Sequence, residues 1–201
     1  MTAENKKSKL GSLWPLLMAG LFMLVGILIL IYIGRDTARL LNAPLDEIDL
    51  YALLDAEKSP TAKSLQGKIA VFHFWGTWSA DCRKEFPAFM KVRSRFVNDP
   101  QVEFVSVSCS SGVENNLESL KRETSDYLRS QNITMPIYAD PAMFTRGKIT
   151  RMLASGGFGY PFTIVIDRQG IVREYWVGPT PGSMDQLAKI LEQLIAEKST
   201  N

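Results

Sequence analysis

Residues 69–87 read IAVFHFWGTWSADCRKEFP, and the architecture follows from the way this stretch changes period. Residues 69–75 form an unbroken apolar run rich in strand formers, the pattern of a strand buried on both faces. Gly76-Thr77-Trp78 interrupts it. Ser79 is a good helix N-cap, and Asp81 in the first turn complements the helix dipole, so a helix is predicted to begin there. Pro87 lies inside that helix and should kink it.

The same alternation continues downstream. Residues 102–108, VEFVSVS, read as a second strand ending at Cys109, and 114–131 carry Leu117, Leu120, Tyr127 and Leu128 at helical spacing. A third strand is expected at 162–167 after Pro161. Gly170 then turns the chain into IVREYWV, and a last helix follows, with Ser183 and Gln186 read as its capping box. Alternating strands and helices without an internal repeat predict an α/β layer fold with a mixed central sheet.

Toward the amino terminus, residues 13–33, LWPLLMAGLFMLVGILILIYI, contain no charge. A helix needs about 20 apolar residues to cross a bilayer core, whereas the apolar part of a cleaved signal is about 7–15 residues long. The expected division is a cytoplasmic tail over 1–12, a transmembrane helix over 13–34, a tether over 35–44 and one domain over 45–198. Lys6, Lys7 and Lys9 precede the apolar run, and Arg35 and Arg39 follow it. That balance favours a cytoplasmic amino terminus and an extracytoplasmic domain at the cell membrane, and Trp14 and Tyr32 suit the two headgroup layers.

Composition narrows the function. A hydrophobic fraction of 46% and a charged fraction of 22% are globular values. Net charge is +2 with no basic stripe, which gives nucleic-acid binding no support. Two cysteines, Cys82 and Cys109, and one histidine, His73, are too few for a disulfide scaffold or a structural zinc site. A copper site from those three residues has suitable soft donors but no further support. No metal or other cofactor is expected.

The run FWGTWSADCRKEFP at 74–87, Gly67-Lys68 before the first strand, and YPFTIVID at 160–167 together resemble the thioredoxin-like family. The nearest likeness is to its TlpA/ResA branch of membrane-tethered thiol–disulfide oxidoreductases. The resemblance covers roughly 43–196 and implies a cis peptide bond at Tyr160–Pro161. It also implies that Trp78, Tyr160 and Pro161 border the place where a substrate polypeptide lies. Where the family has its first, attacking cysteine this chain has Ser79, while the second cysteine is kept as Cys82. A hydroxyl cannot open a disulfide as a thiolate does, so the usual dithiol cycle is closed to this sequence.

Three readings of the site follow. In the first, thiol redox chemistry persists on protein thiols or disulfides, with Cys82 the reactive sulfur and Cys109 a possible partner. Ser79 would then stabilise the Cys82 thiolate. His73 stands where similar thioredoxins place a buried acid, and would accept the Cys82 proton. The second is a peroxiredoxin-like peroxidase, since Ser-x-x-Cys is a serine version of that family's Thr-x-x-Cys. Cys82 would attack a peroxide beside Arg146 or Arg151. The third is a thioredoxin scaffold kept for binding or assembly, with both cysteines serving as small core hydrophobes. Blander expectations apply to single residues: His73 as a core side chain, Trp75 as packing, Arg83, Lys84 and Glu85 as a solvated helix face, and 146–151 as surface.

Overall fold

The computed structural model describes residues 14–112, 116–153 and 156–197. The twelve-residue amino-terminal tail and Leu13 lie outside the described residues. In chain order the elements are α1 (Trp14–Leu40), β1 (Tyr51–Leu54), α2 (Ala62–Leu65), β2 (Ile69–Trp75), α3 (Ala80–Phe96), β3 (Val102–Ser108), α4 (Leu117–Ser130), β4 (Ile137–Ala139), α5 (Phe144–Met152), β5 (Phe162–Ile166), β6 (Val172–Val177) and α6 (Ser183–Ala196).

The six strands form one mixed sheet in the order β1-β4-β3-β2-β5-β6. β2, β3 and β4 run parallel, while β1, β5 and β6 pair antiparallel to their neighbours. β2 is central and all seven of its residues are buried, which explains why it reads as continuous rather than alternating hydrophobicity. Its side chains still alternate between faces. Ile69, Val71 and Trp75 join one apolar cluster with α3, α4 and α6, while Ala70, Phe72 and Phe74 join a second cluster with α5 and Leu40.

Several sequence expectations change here. The segment 35–44 is not a loose tether. α1 runs to Leu40, whose side chain is fully buried. Asn42 N donates to Val172 O at 2.8 Å, Val172 N to Ala43 O at 2.9 Å and Leu45 N to Gly170 O at 2.9 Å, so 40–45 are built into the β6 edge. α6 lacks the Ser183–Gln186 capping box. Gly182, in the left-handed region at φ 77°, is its N-cap, and Ser183 already lies inside the helix. α1 has 27 residues, roughly 40 Å of helix at 1.5 Å per residue. Its side chains are described only over 17–29 and at Leu40, and among the described residues no helix is long and apolar enough to cross a membrane.

Candidate functional site

The carboxy-terminal ends of β2 and β3, the amino terminus of α3 and the loop before β5 meet at one pole of the sheet. Ser79 caps α3 as its sequence suggests: Ser79 Oγ accepts from Cys82 N at 3.2 Å. Tyr160–Pro161 is a cis peptide, as the resemblance implied, and Gly178 N donates to Pro161 O at 2.8 Å.

Trp78 bridges the two loops. Its indole Nε1 donates to Cys109 O at 2.9 Å, and its ring meets Tyr160 edge-on with centroids 5.4 Å apart. Gly76 makes room for it, because a Cβ there would lie 2.3 Å from Trp78 Nε1 and 2.7 Å from Cys109 O. Gly76→Ala should therefore expel the indole and cost about 2 kcal/mol, in the range of overpacking, read as a lower melting temperature. Trp75, by contrast, is core. It packs on Phe86 at 4.4 Å and donates to Ser106 Oγ at 2.9 Å.

The two sulfurs do not form a pair. Both are free and buried. Cys82 belongs to the cluster beneath α3, and Cys109 to the cluster on the opposite face of the sheet. Burial pushes the Cys82 thiol up. The Ser79 hydroxyl and the Gly76 backbone pull the other way but do not prevail, and the Glu85 and Asp81 carboxylates add to the upward shift. Burial raises Cys109 to about 12, despite the nearby Arg146 and a hydrogen bond with Tyr160. Burial thus holds both thiols toward the protonated form, and they join clusters on opposite faces of the sheet, two features that disfavour the Cys82–Cys109 couple expected from sequence.

His73 does not serve Cys82. Its Nδ1 shares a 2.9 Å hydrogen bond with Thr163 Oγ1, and its ring stacks on Phe89 at 4.0 Å. Nε2 has no hydrogen-bond partner among the described residues, and burial lowers the imidazole to about 3. A ring that resists protonation so strongly cannot store the thiol's proton. Because its folded pKa lies below the unfolded value, His73 contributes stability at neutral pH that is lost as pH falls from 6.5 toward 3.

Sequence reasoning missed two charged residues. Glu85 is half-buried rather than solvated. Burial raises its carboxyl to about 7, and the Ser183 hydroxyl, at the start of α6, opposes that shift by hydrogen bonding to it. The folded state thus keeps this proton longer than the unfolded chain, so stability falls as pH rises from about 4.5 to 7 and levels off above. Glu85→Gln should remove that slope and gain at most about 3 kcal/mol above pH 7, measured by denaturant melts across pH on both proteins.

Arg146, expected at the surface, is buried because Asp140 draws it in. Asp140 Oδ2 accepts from Arg146 N at 2.8 Å and Nε at 3.2 Å, and Arg146 Nη2 donates to Asp140 O at 2.8 Å. Arg146 Nη1 then donates to Tyr160 Oη at 2.6 Å. This chain of contacts locks α5 to the cis-proline loop. It also weakens the peroxidase reading. The buried cation acts on Cys109, while the charges that act on Cys82 are both carboxylates.

Fold and site together define a thioredoxin-fold protein in which a serine, Ser79, caps the helix that follows the central strand. The AhpC/TSA family model matches residues 45–175, and the chain belongs to that family. It is similar to the thiol:disulfide interchange protein DsbE of Pseudomonas aeruginosa, with 28% identity over 188 residues that cover 90% of this chain and 94% of that one. It is also similar to the thiol-disulfide oxidoreductase ResA of Bacillus anthracis, at 26% identity, covering 74% of this chain and 68% of the relative. Among solved structures, a thiol-disulfide isomerase from Corynebacterium glutamicum superposes with a TM-score of 0.59 at 23% identity, covering 78% of this chain and 99% of that one, which speaks for the fold.

Proposed function

We propose that this chain is a membrane-anchored, extracytoplasmic protein of the thiol:disulfide interchange type. It engages polypeptides that carry thiols or disulfides at the Trp78–Pro161 surface, without running a dithiol cycle. The observation that carries this reading is the state of the site. Ser79 caps α3 and bonds Cys82 N, while both sulfurs are buried, unpaired and raised in pKa. A thiol in that state is a core side chain rather than a nucleophile.

The anchor is supported by α1, where Leu17, Phe22 and Met23 are each more than 60% exposed, with nothing in the domain to cover them. A helix apolar on all sides needs an apolar surrounding. The orientation rests on Lys6, Lys7 and Lys9 before that helix against Arg35 and Arg39 after its apolar run.

The test uses the full chain in lipid nanodiscs and a reduced, unfolded, cysteine-containing polypeptide as probe. Binding should survive Cys82→Ala within about twofold and fall by about tenfold or more in Trp78→Ala. Abolition of binding by Cys82→Ala would contradict the reading.

A further inference from the structure

α1 joins the domain at the pole of the sheet opposite the site. β5 runs from Phe162, paired with Phe74, to Ile166, paired with Ala70, so Ile166 and the turn to Gly170 lie at the far end from the cis-proline loop. There the backbone of 42–45 bonds to Gly170 and Val172. α1 is one helix to Leu40, and its charge-free run ends at Ile33. At 1.5 Å per residue Leu40 lies about 10 Å beyond that run, while the headgroup layer of a bilayer is about 5–8 Å deep. A seven-residue strand such as β2 spans about 23 Å. A domain held only that far out by buried Leu40 clears a bilayer with the Leu40 end nearest the headgroups.

A cavity of about 240 Å³ opens on this pole, between the 44–46 segment, α2 and the β5–β6 turn. Its apolar wall is Leu45, Leu65 and Ile166, members of the cluster that also holds Leu40. Its polar wall is Lys63, Gln66 and Gln169, whose exposed side chains have no hydrogen-bond or ion-pair partner among the described residues. Asp46 lines it too, but Lys148 on α5 engages that carboxylate and reaches Glu47 as well, at 3.3 Å. The free charge of the rim is therefore one ammonium, with two amides able to donate beside it.

The walls are bonded to one another. Thr61 and Ser64 cap α2 reciprocally: Ser64 N donates to Thr61 Oγ1 at 3.1 Å, and Thr61 N to Ser64 Oγ at 2.9 Å. Gly67 N donates to Arg168 O at 2.9 Å, which ties the end of α2 to the β5–β6 turn, and Leu45 N to Gly170 O closes the other side. The cavity is smaller than the roughly 300–1,000 Å³ of sites for drug-sized ligands, so it suits a compact group. A cation and two amide donors facing an apolar wall match anionic oxygens on an apolar stem, the chemistry of a phosphodiester on glycerol.

We infer that this cavity takes the glycerophosphate part of a membrane phospholipid, with Lys63, Gln66 and Gln169 on the phosphate and Leu45, Leu65 and Ile166 against the glycerol and first acyl carbons. The inference rests on the proposed membrane anchor, which brings lipid to this height. A lipid held there is a second attachment beside α1, and it keeps the opposite pole, with Trp78 and Pro161, directed away from the bilayer.

The experiment embeds the full chain in nanodiscs of phosphatidylcholine or of an uncharged galactolipid and reads lysine acylation by mass spectrometry. Lys63 should react about tenfold more slowly in phosphatidylcholine, while exposed Lys91 on α3 reacts alike in both. Gln66→Ala/Gln169→Ala, at two exposed positions, should abolish the difference with an unchanged melting temperature. Equal Lys63 modification in the two lipids, or a difference that survives the double variant, overturns the inference and leaves the anchor standing. Glycerol 3-phosphate that protects Lys63 equally well in galactolipid discs would assign the cavity to a soluble phosphate ester and overturn the lipid assignment. A chain that stays with neither kind of disc refutes the anchor, and the inference falls with it.

Discussion

Ser79→Cys should confer disulfide-reducing turnover on a chain proposed to bind its clients without it. The position is the N-cap of α3, three residues before Cys82, with the unsatisfied N–H groups of the first turn aimed at it. A thiol placed there sits in the environment that lowers thiol pKa, and Asp81 opposes this only in part. Its thiolate attacks a substrate disulfide and forms a mixed disulfide. The substrate sulfur expelled in that step leaves as a thiolate and takes the proton of Cys82, one turn along the helix; Cys82 then attacks the mixed disulfide, a step open to it only once that bond exists, releasing the reduced substrate and leaving an internal disulfide for a reductant such as dithiothreitol to reopen. Turnover of a protein disulfide should rise from background to roughly a hundredfold above it, because wild type supplies no thiolate at this position. The cost is a cap: thiol for hydroxyl should lose about 1 kcal/mol of stability. Turnover by wild type at a comparable rate would place the nucleophile at Cys82. A silent Ser79→Cys would mean that the loop is not arranged for exchange.

Arg146→Met should be the most destabilising single change at the site. It leaves the Asp140 carboxylate, already buried and with Oδ1 lacking a hydrogen-bond partner among the described residues, without its cation. Breaking one side of a buried pair costs about 3–5 kcal/mol, since the surviving charge has neither water nor partner. For a domain of this size that is a fall of about 10 °C in melting temperature. Tyr160 loses its hydrogen bond from Arg146 as well, so Cys109 behind it should become accessible to alkylation before global unfolding. Adding Asp140→Asn should recover much of the loss, because the amide oxygen can still accept from the backbone N at position 146 while no charge is stranded. Recovery by the double variant separates stranded charge from lost packing.

What could be read from the sequence was local. β2 and β3 appear at their observed bounds because their strand character is written in consecutive residues. Ser79 as N-cap and cis Pro161 follow from short motifs. β1 and β4 escape notice because runs of four and three residues carry almost no periodicity, and only their pairing with each other and with β3 makes them strands. Arg146 reads as surface because nothing beside it in the chain announces burial. Its partner Asp140 caps α5 across a turn, and its other contact, Tyr160, is fourteen residues on. Glu85 reads as solvated because the docking of α6 against α3 is set by distant core residues such as Leu187 and Leu191. His73 shows the limit of positional likeness. It occupies the expected place under α3, but the Phe89 stack and the Thr163 hydrogen bond, both long-range, fix it as an inert core ring.

The central claim is that Cys82 is a buried thiol and not a nucleophile. Differential alkylation of the intact chain, native and then unfolded, read by mass spectrometry after mild peroxide treatment, tests it most directly. Cys82 and Cys109 should both remain unmodified in the native protein and alkylate only after unfolding. A Cys82 that alkylates in the native state, or that is recovered as a sulfenic acid or in a bridge to Cys109, would contradict the account.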